Sequence, residues 1–203
     1  MHRKLFIWIL FLNACTSSNG QMVKDDIESF IKVRAIDTFL IYYQPCIGYS
    51  YPADTCQPKD THYLLWKESN EYFAKKFQTC YTSNSNSIDI KNPLAYYIAN
   101  RQTINDEEIK QPTYLKSVKK RKTIDTIMVI TAIDHSCHYK FMFGLNGVVT
   151  KKSADEFDLN FIKFDTGEMN INYEYNQKTK LKKLIDYTTV MTETFDKKDK
   201  LHE

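Results

Sequence analysis

Glycine and proline are scarce, five of each in 203 residues, and the glycines never gather into a phosphate-cradling loop. The common nucleotide-binding motifs are thereby excluded. A Gly-x-Ser-x-Gly elbow is also missing, and with it the usual mark of an α/β-type serine hydrolase. Asp165-Thr166-Gly167-Glu168 lacks the alternating oxygen ligands of a calcium loop. Long apolar runs are absent. Leu5 to Leu12 spans eight residues and rises about 12 Å as a helix, against a hydrocarbon core of about 30 Å, so it is no permanent membrane span. Nor is there an excess of charge. The formal +3 falls to +1 without Arg3 and Lys4, leaving 26 Lys and Arg against 25 Asp and Glu. That balance exerts no pull on nucleic acid. The one dense basic run, Lys119-Lys120-Arg121-Lys122, reads as a solvated connection. What is present is apolar material for one core, 42% of the chain with fourteen tyrosines. With so few breakers, this suits an ordered, strand-rich fold.

Arg3 and Lys4 lead into the apolar run, which closes in Asn13-Ala14-Cys15 and yields to Thr16-Ser17-Ser18-Asn19-Gly20-Gln21. A basic start, a short apolar core and a small residue are the parts of a secretory signal. Leu12-Asn13-Ala14-Cys15 resembles the lipobox of bacterial lipoproteins. The resemblance implies cleavage before Cys15, a diacylglyceryl group on its sulfur, and a mature N-terminus carrying acyl chains such as palmitate. More than one chain is what stable anchoring requires. Thr16, in place of an acidic residue, points by the same analogy to the outer membrane, facing the periplasm. The organisation expected is a signal over 1–14, a flexible tether over 15–22, and one domain over 23–203.

Setting Cys15 apart leaves Cys46, Cys56, Cys80 and Cys137. An even set in an exported chain reads as two disulfides with three possible connectivities. Cys46 and Cys56 flank a turn-rich loop, which favours a local bridge and leaves Cys80 for Cys137. The alternative is that these thiols stay reduced and packed.

Helical spacing of Ile27, Phe30, Ile31 and Arg34 predicts a helix over 23–34. Residues 36–43 read as a buried strand. Residues 62–67 and 71–77 read as a hairpin around Glu68-Ser69-Asn70, and 83–87 as a loop. Asn92-Pro93 opens a short helix, Asn92 as its cap. Ile124 to Ile133, apolar on both faces, reads as the central strand. Asn146-Gly147 supplies the two positive-φ residues of a type I′ hairpin between 138–145 and 148–151. Strands are expected over 157–164 and, from alternation, over 170–176. A helix over 178–195 follows from the stripe Leu181, Leu184, Ile185, Thr188 and Met191. Ile36-Asp37-Thr38 and Ile124-Asp125-Thr126 open strands that are followed by His62-Tyr63 and His138-Tyr139, a weak repeat that would make two meanders in one sheet. The fold class expected is α+β: an antiparallel or mixed sheet of about six strands with a helix at each end.

Candidates for chemistry are few. Asp134-His135-Ser136 holds the residue types of a triad, but neighbours along a strand point to opposite faces and cannot converge. His135 and Cys137, two apart, would share a face and offer two zinc ligands, with His138 or His62 as a third. Export argues against this, since Cys137 is then wanted for a disulfide. Asp25-Asp26, Glu107-Glu108 and Asp155-Glu156 read as surface charge. No cofactor is implied.

Tyr63-Leu64-Leu65-Trp66-Lys67, with Asn170-Ile171-Asn172-Tyr173 before a Lys-rich helix, is similar to small uncharacterised envelope lipoproteins of Gram-negative bacteria. That resemblance implies no activity. The function expected is non-enzymatic binding of a protein partner, as a complex subunit or an immunity-type inhibitor. The alternatives are a hydrolase using dispersed His62, His135 or His138, and a glycan-binding lipoprotein using Trp66 and the tyrosines near Cys46.

Overall fold

A computed structural model describes residues 19–47, 61–79, 82–89, 91–120 and 123–199. Cys15, Cys56 and Cys80 lie outside the described residues, as do Tyr49 and Tyr51.

The structure is α+β, as expected. Helix α1 (Asn19–Val33) begins earlier than expected and takes Asn19 to Met22 from the proposed tether. It is followed by strands β1 (Thr38–Tyr43), β2 (His62–Glu68), β3 (Glu71–Phe77) and β4 (Asn86–Ile88), then by helix α2 (Pro93–Asp106). Strands β5 (Thr113–Lys120) and β6 (Thr123–Ile130) form a separate two-stranded hairpin. Strands β7 (His138–Leu145) and β8 (Val148–Asp155), short helices α3 (Glu156–Asn160) and α4 (Tyr173–Lys178), and helix α5 (Lys180–Asp199) complete the order.

The main sheet has six strands in the order β4-β3-β2-β1-β7-β8, and every pairing is antiparallel. β1 lies between β2 and β7, with Leu40 opposite both Leu65 and Phe143. Its even-numbered residues Leu40 and Tyr42 face a core completed by Leu94, Tyr97 and Ile104 of α2 and by Leu181, Leu184 and Ile185 of α5. Ile41 points the other way, into a second core with Leu64, Trp66 and Phe77 under Val23 and Ile27 of α1. Burial on both faces makes β1 the centre of the molecule.

Local chemistry accounts for the element ends. Asn92 accepts the Ala95 N–H at 3.0 Å and caps α2. Asn146 (φ 51°) and Gly147 (φ 78°) make the β7–β8 turn. A Cβ on Gly144 would fall 2.1 Å from the Phe39 ring, so any other residue at that strand position would displace the ring. The Glu107 carboxylate accepts the Leu181 N–H at 2.9 Å, satisfying one of the first donors of α5.

Three expected strands are corrected. Residues 157–164 begin with α3, because Asp155 accepts the Phe157 N–H at 2.8 Å and sets a helical cap. Residues 170–176 lead into α4; their alternation arises because Asn170 and Asn176 are buried for hydrogen bonding. Residues 124–130 are a strand, but not a central one. Its partner β5 is a strand not expected from the sequence and takes in Lys119 and Lys120 of the run read as a solvated connection, and the short strand β4 overlaps the end of the expected loop 83–87.

Candidate functional site

The described residues offer two places worth attention, an open groove beside the candidate histidines and the β5–β6 arm.

Across β1 the register sets Tyr43 opposite His62 on one side and Lys140 on the other. The Tyr43 and His62 rings stack at 4.6 Å, and His62 is 4% exposed. Both residues, with His138, Lys140, Asp155 and Asp158, line a groove of about 850 Å³. Two of the three candidate histidines therefore share a cleft. His135 does not; it is exposed on the turn before β7.

His138 Nδ1 lies 3.2 Å from Asp155 Oδ2. The other oxygen of Asp155 accepts the Ser136 hydroxyl at 2.5 Å and the Phe157 N–H at 2.8 Å. In a hydrolytic triad the imidazole lies between nucleophile and acid. Here the carboxylate lies between serine and imidazole, and Ser136 Oγ also accepts the Phe157 N–H at 3.2 Å. The cluster caps a helix and orients His138; it does not prepare a nucleophile. Asp155, read as surface charge, is in fact its hub. Nearby, burial and then the Asp155 charge push the Asp158 carboxyl from 3.8 up to about 6, with His138 opposing the shift.

Cys137 is bonded to Cys46 across 91 residues, which overturns the local Cys46–Cys56 bridge and its Cys80–Cys137 complement. The two cysteines are cross-strand neighbours just beyond β1 and β7, held by the His138 N–H on the Pro45 carbonyl (2.9 Å) and the Ile47 N–H on the Ser136 carbonyl (3.1 Å). Loop proximity in sequence favoured the local pair, whereas the sheet brings the distant one together. The bonded sulfur is lost as a ligand, so the His135–Cys137 zinc pair is not formed. Among the described residues no three metal-ligating side chains converge.

Trp66 is 0% exposed and its indole donates to Glu68 at 3.3 Å. It is a core residue and offers no stacking platform for a glycan.

The β5–β6 arm is the part that sequence reasoning placed wrongly. Its two faces differ. One carries Leu115, Lys119, Ile124, Met128 and Ile130; the other carries Tyr114, Lys116, Val118, Asp125, Ile127 and Val129. The second face is seated at its base, where the Tyr114 and Phe164 rings meet at 4.4 Å. The first face is open, with Leu115 53%, Ile124 74%, Met128 64% and Ile130 55% exposed. Two buried asparagines root the arm. Asn176 accepts the Lys110 N–H at 2.9 Å and donates to the Lys110 and Asp158 carbonyls at 2.8 and 3.0 Å. Asn170 accepts the Thr113 N–H at 3.1 Å and donates to the Phe161 carbonyl at 2.9 Å. A firmly rooted ribbon with an open apolar face can bury that face against another chain.

No helix among the described residues is long and apolar enough to cross a membrane. No protein-family model, curated protein or solved structure matches the chain.

Proposed function

We propose that this chain is a lipid-anchored envelope protein that works by binding a protein partner, with the β5–β6 arm as its docking element. One observation carries the reading: a strand with five apolar residues in eight stands in an exposed arm instead of the core. Large apolar side chains exposed together on one face mark an interaction surface. The lipobox-like Leu12-Asn13-Ala14-Cys15 supplies the anchor in this reading and places the partner at the envelope, most simply on the periplasmic side of the outer membrane. No cofactor and no nucleic acid enter it. The role is that of a complex subunit or an inhibitor of the immunity type.

A photoreactive residue at Met128, introduced into the full chain in intact cells, is expected to give a discrete adduct. The same residue at Val33 on α1 should give none. Absence of any adduct from the arm sinks the docking role. Mass spectrometry of the mature N-terminus tests the anchor separately, and an unmodified terminus refutes it.

The His138–Asp155 pair favours a second reading, a hydrolase with His138 as base. A carboxylate on Nδ1 fixes the tautomer and leaves Nε2 to take a proton. Turnover of a model ester that His138→Ala abolishes and His135→Ala spares is the expected result. Turnover indifferent to His138 ends this reading.

A further inference from the structure

We propose that the occupant of the arm is a second copy of this chain, joined by antiparallel pairing of β6 with β6 into a continuous four-stranded ribbon. The proposal rests on the docking role given above and names its partner.

The edges of the two sheets carry the argument. Native proteins guard a strand edge with charge, proline, a bulge or extreme shortness. Strand β4 has three residues. Strand β8 bears Lys151 and Lys152, and β5 bears Lys116, Lys119 and Lys120. Strand β6 has eight residues with Asp125 as its single charge and neither lysine nor proline nor glycine. Among the described residues it pairs with β5 alone. Among the described residues it is thus the one long edge with almost none of these guards.

Its sequence is complementary to itself. Antiparallel pairing centred on Ile127 sets Ile124 against Ile130, Thr126 against Met128 and Asp125 against Val129 of the second copy. No charge meets a charge. Paired residues point to the same side of a sheet, so this register sets the two open faces, each with Leu115, Ile124, Met128 and Ile130 beside Lys119, on one side of the ribbon. A shift by one residue would instead mix the open face with the seated one.

Charge selects the antiparallel sense. The tip of the arm is basic, with Lys119 exposed and Lys120, Arg121 and Lys122 following in sequence. Its base is flanked by exposed Asp134 and by exposed Asp165, the latter next to the Phe164 that packs on Tyr114. Antiparallel pairing carries each basic tip toward the acidic base of the other copy. Parallel pairing would press two basic tips together, at a cost.

The test uses the full chain. Ile127→Cys lies on the two-fold axis, and oxidation in intact envelopes should convert it to a covalent dimer absent from the wild type. Val33→Cys, exposed on α1, should give none. Thr126→Lys and Met128→Lys place a charge on the β6 edge or its open face. Each should abolish the dimer in sedimentation at matched detergent, with far-UV circular dichroism unchanged. Equal cross-linking from Ile127→Cys and Val33→Cys overturns the proposal, as does a wild type that stays monomeric at every concentration. An adduct from Met128 to a different protein alone also overturns it, and leaves the docking role standing. No dimer and no adduct removes both.

Discussion

Strands β1 and β6 start from the same three residues and finish in opposite surroundings. Ile36-Asp37-Thr38 leads into β1, where Leu40 and Ile41 are buried on the two faces of the sheet. Ile124-Asp125-Thr126 opens β6, where Ile124, Met128 and Ile130 are all more than half exposed. Their own residues do not explain this, since both are rich in β-branched and apolar side chains. Their neighbours do. β1 is flanked by Tyr63, Leu64, Leu65 and Trp66 on β2 and by Phe141, Met142 and Phe143 on β7. β6 is flanked by β5, which sets Lys119 opposite Ile124 and Lys116 opposite Ile127. Taking those ammonium groups into a core would cost several kcal/mol each without partners. Among the described residues β1 has an apolar strand on each side, whereas β6 has a single partner and that partner brings lysines.

The largest test of this contrast is a pair of truncations. Leu40→Ala in β1 should cost about 3–5 kcal/mol, since it empties space shared by two strands and two helices. Ile130→Ala in β6 should cost about 0.5 kcal/mol or less in the isolated chain. Urea unfolding measures both, and equal losses would break the contrast.

Next comes the disulfide that pins the end of β1 to the start of β7. Replacing Cys46 and Cys137 together by serine should lower stability by about 4 kcal/mol, because the unfolded chain regains the freedom of a 91-residue separation. An unchanged urea midpoint with and without reductant would refute the bridge.

The root of the arm sharpens the comparison from the other side. Asn176→Ala leaves the Lys110 N–H and two carbonyls without their partner and should cost about 2 kcal/mol. Hydrogen exchange over residues 113–130 should accelerate more than over β1. Uniform acceleration would mean that Asn176 is no specific root.

The smallest effect is a pH dependence near that root. The folded Asp158 carboxyl titrates at about 6 instead of 3.8, so the folded state holds its proton more tightly than the unfolded chain. Stability is therefore fullest below pH 4 for this group and declines as pH rises through about 6. Asp158→Asn should remove that decline and raise stability at pH 7 by roughly 1 kcal/mol, a modest gain because solvent screens the half-exposed group. A variant less stable than wild type at pH 7 would contradict it.

Much of the frame was legible in the sequence because its signals are local. The Asn92 cap, the Asn146-Gly147 turn, the β2–β3 hairpin and the stripe of α5 each need only a few neighbouring residues. The misreadings share a cause. The fate of β6 depends on lysines in β5, and the Cys46–Cys137 pair depends on β1 meeting β7 across the chain. Asn170 and Asn176 looked like the wet face of a strand because a buried asparagine is indistinguishable by type from an exposed one. One missed signal was available: Asp155 is a good N-cap, with Phe157 and Phe161 four apart behind it. Of the candidate site, the pairing of His138 with Asp155 left no trace in spacing.

The Cys46–Cys137 bond also determines how the molecule responds to damage. Strands β2 to β6 and helix α2 all lie within the covalent ring that it closes. A protease that cuts the lysine-rich arm tip opens the ring at one point and releases nothing. Both fragments stay joined to each other until the bond is reduced, so a nicked arm is not shed from its own sheet.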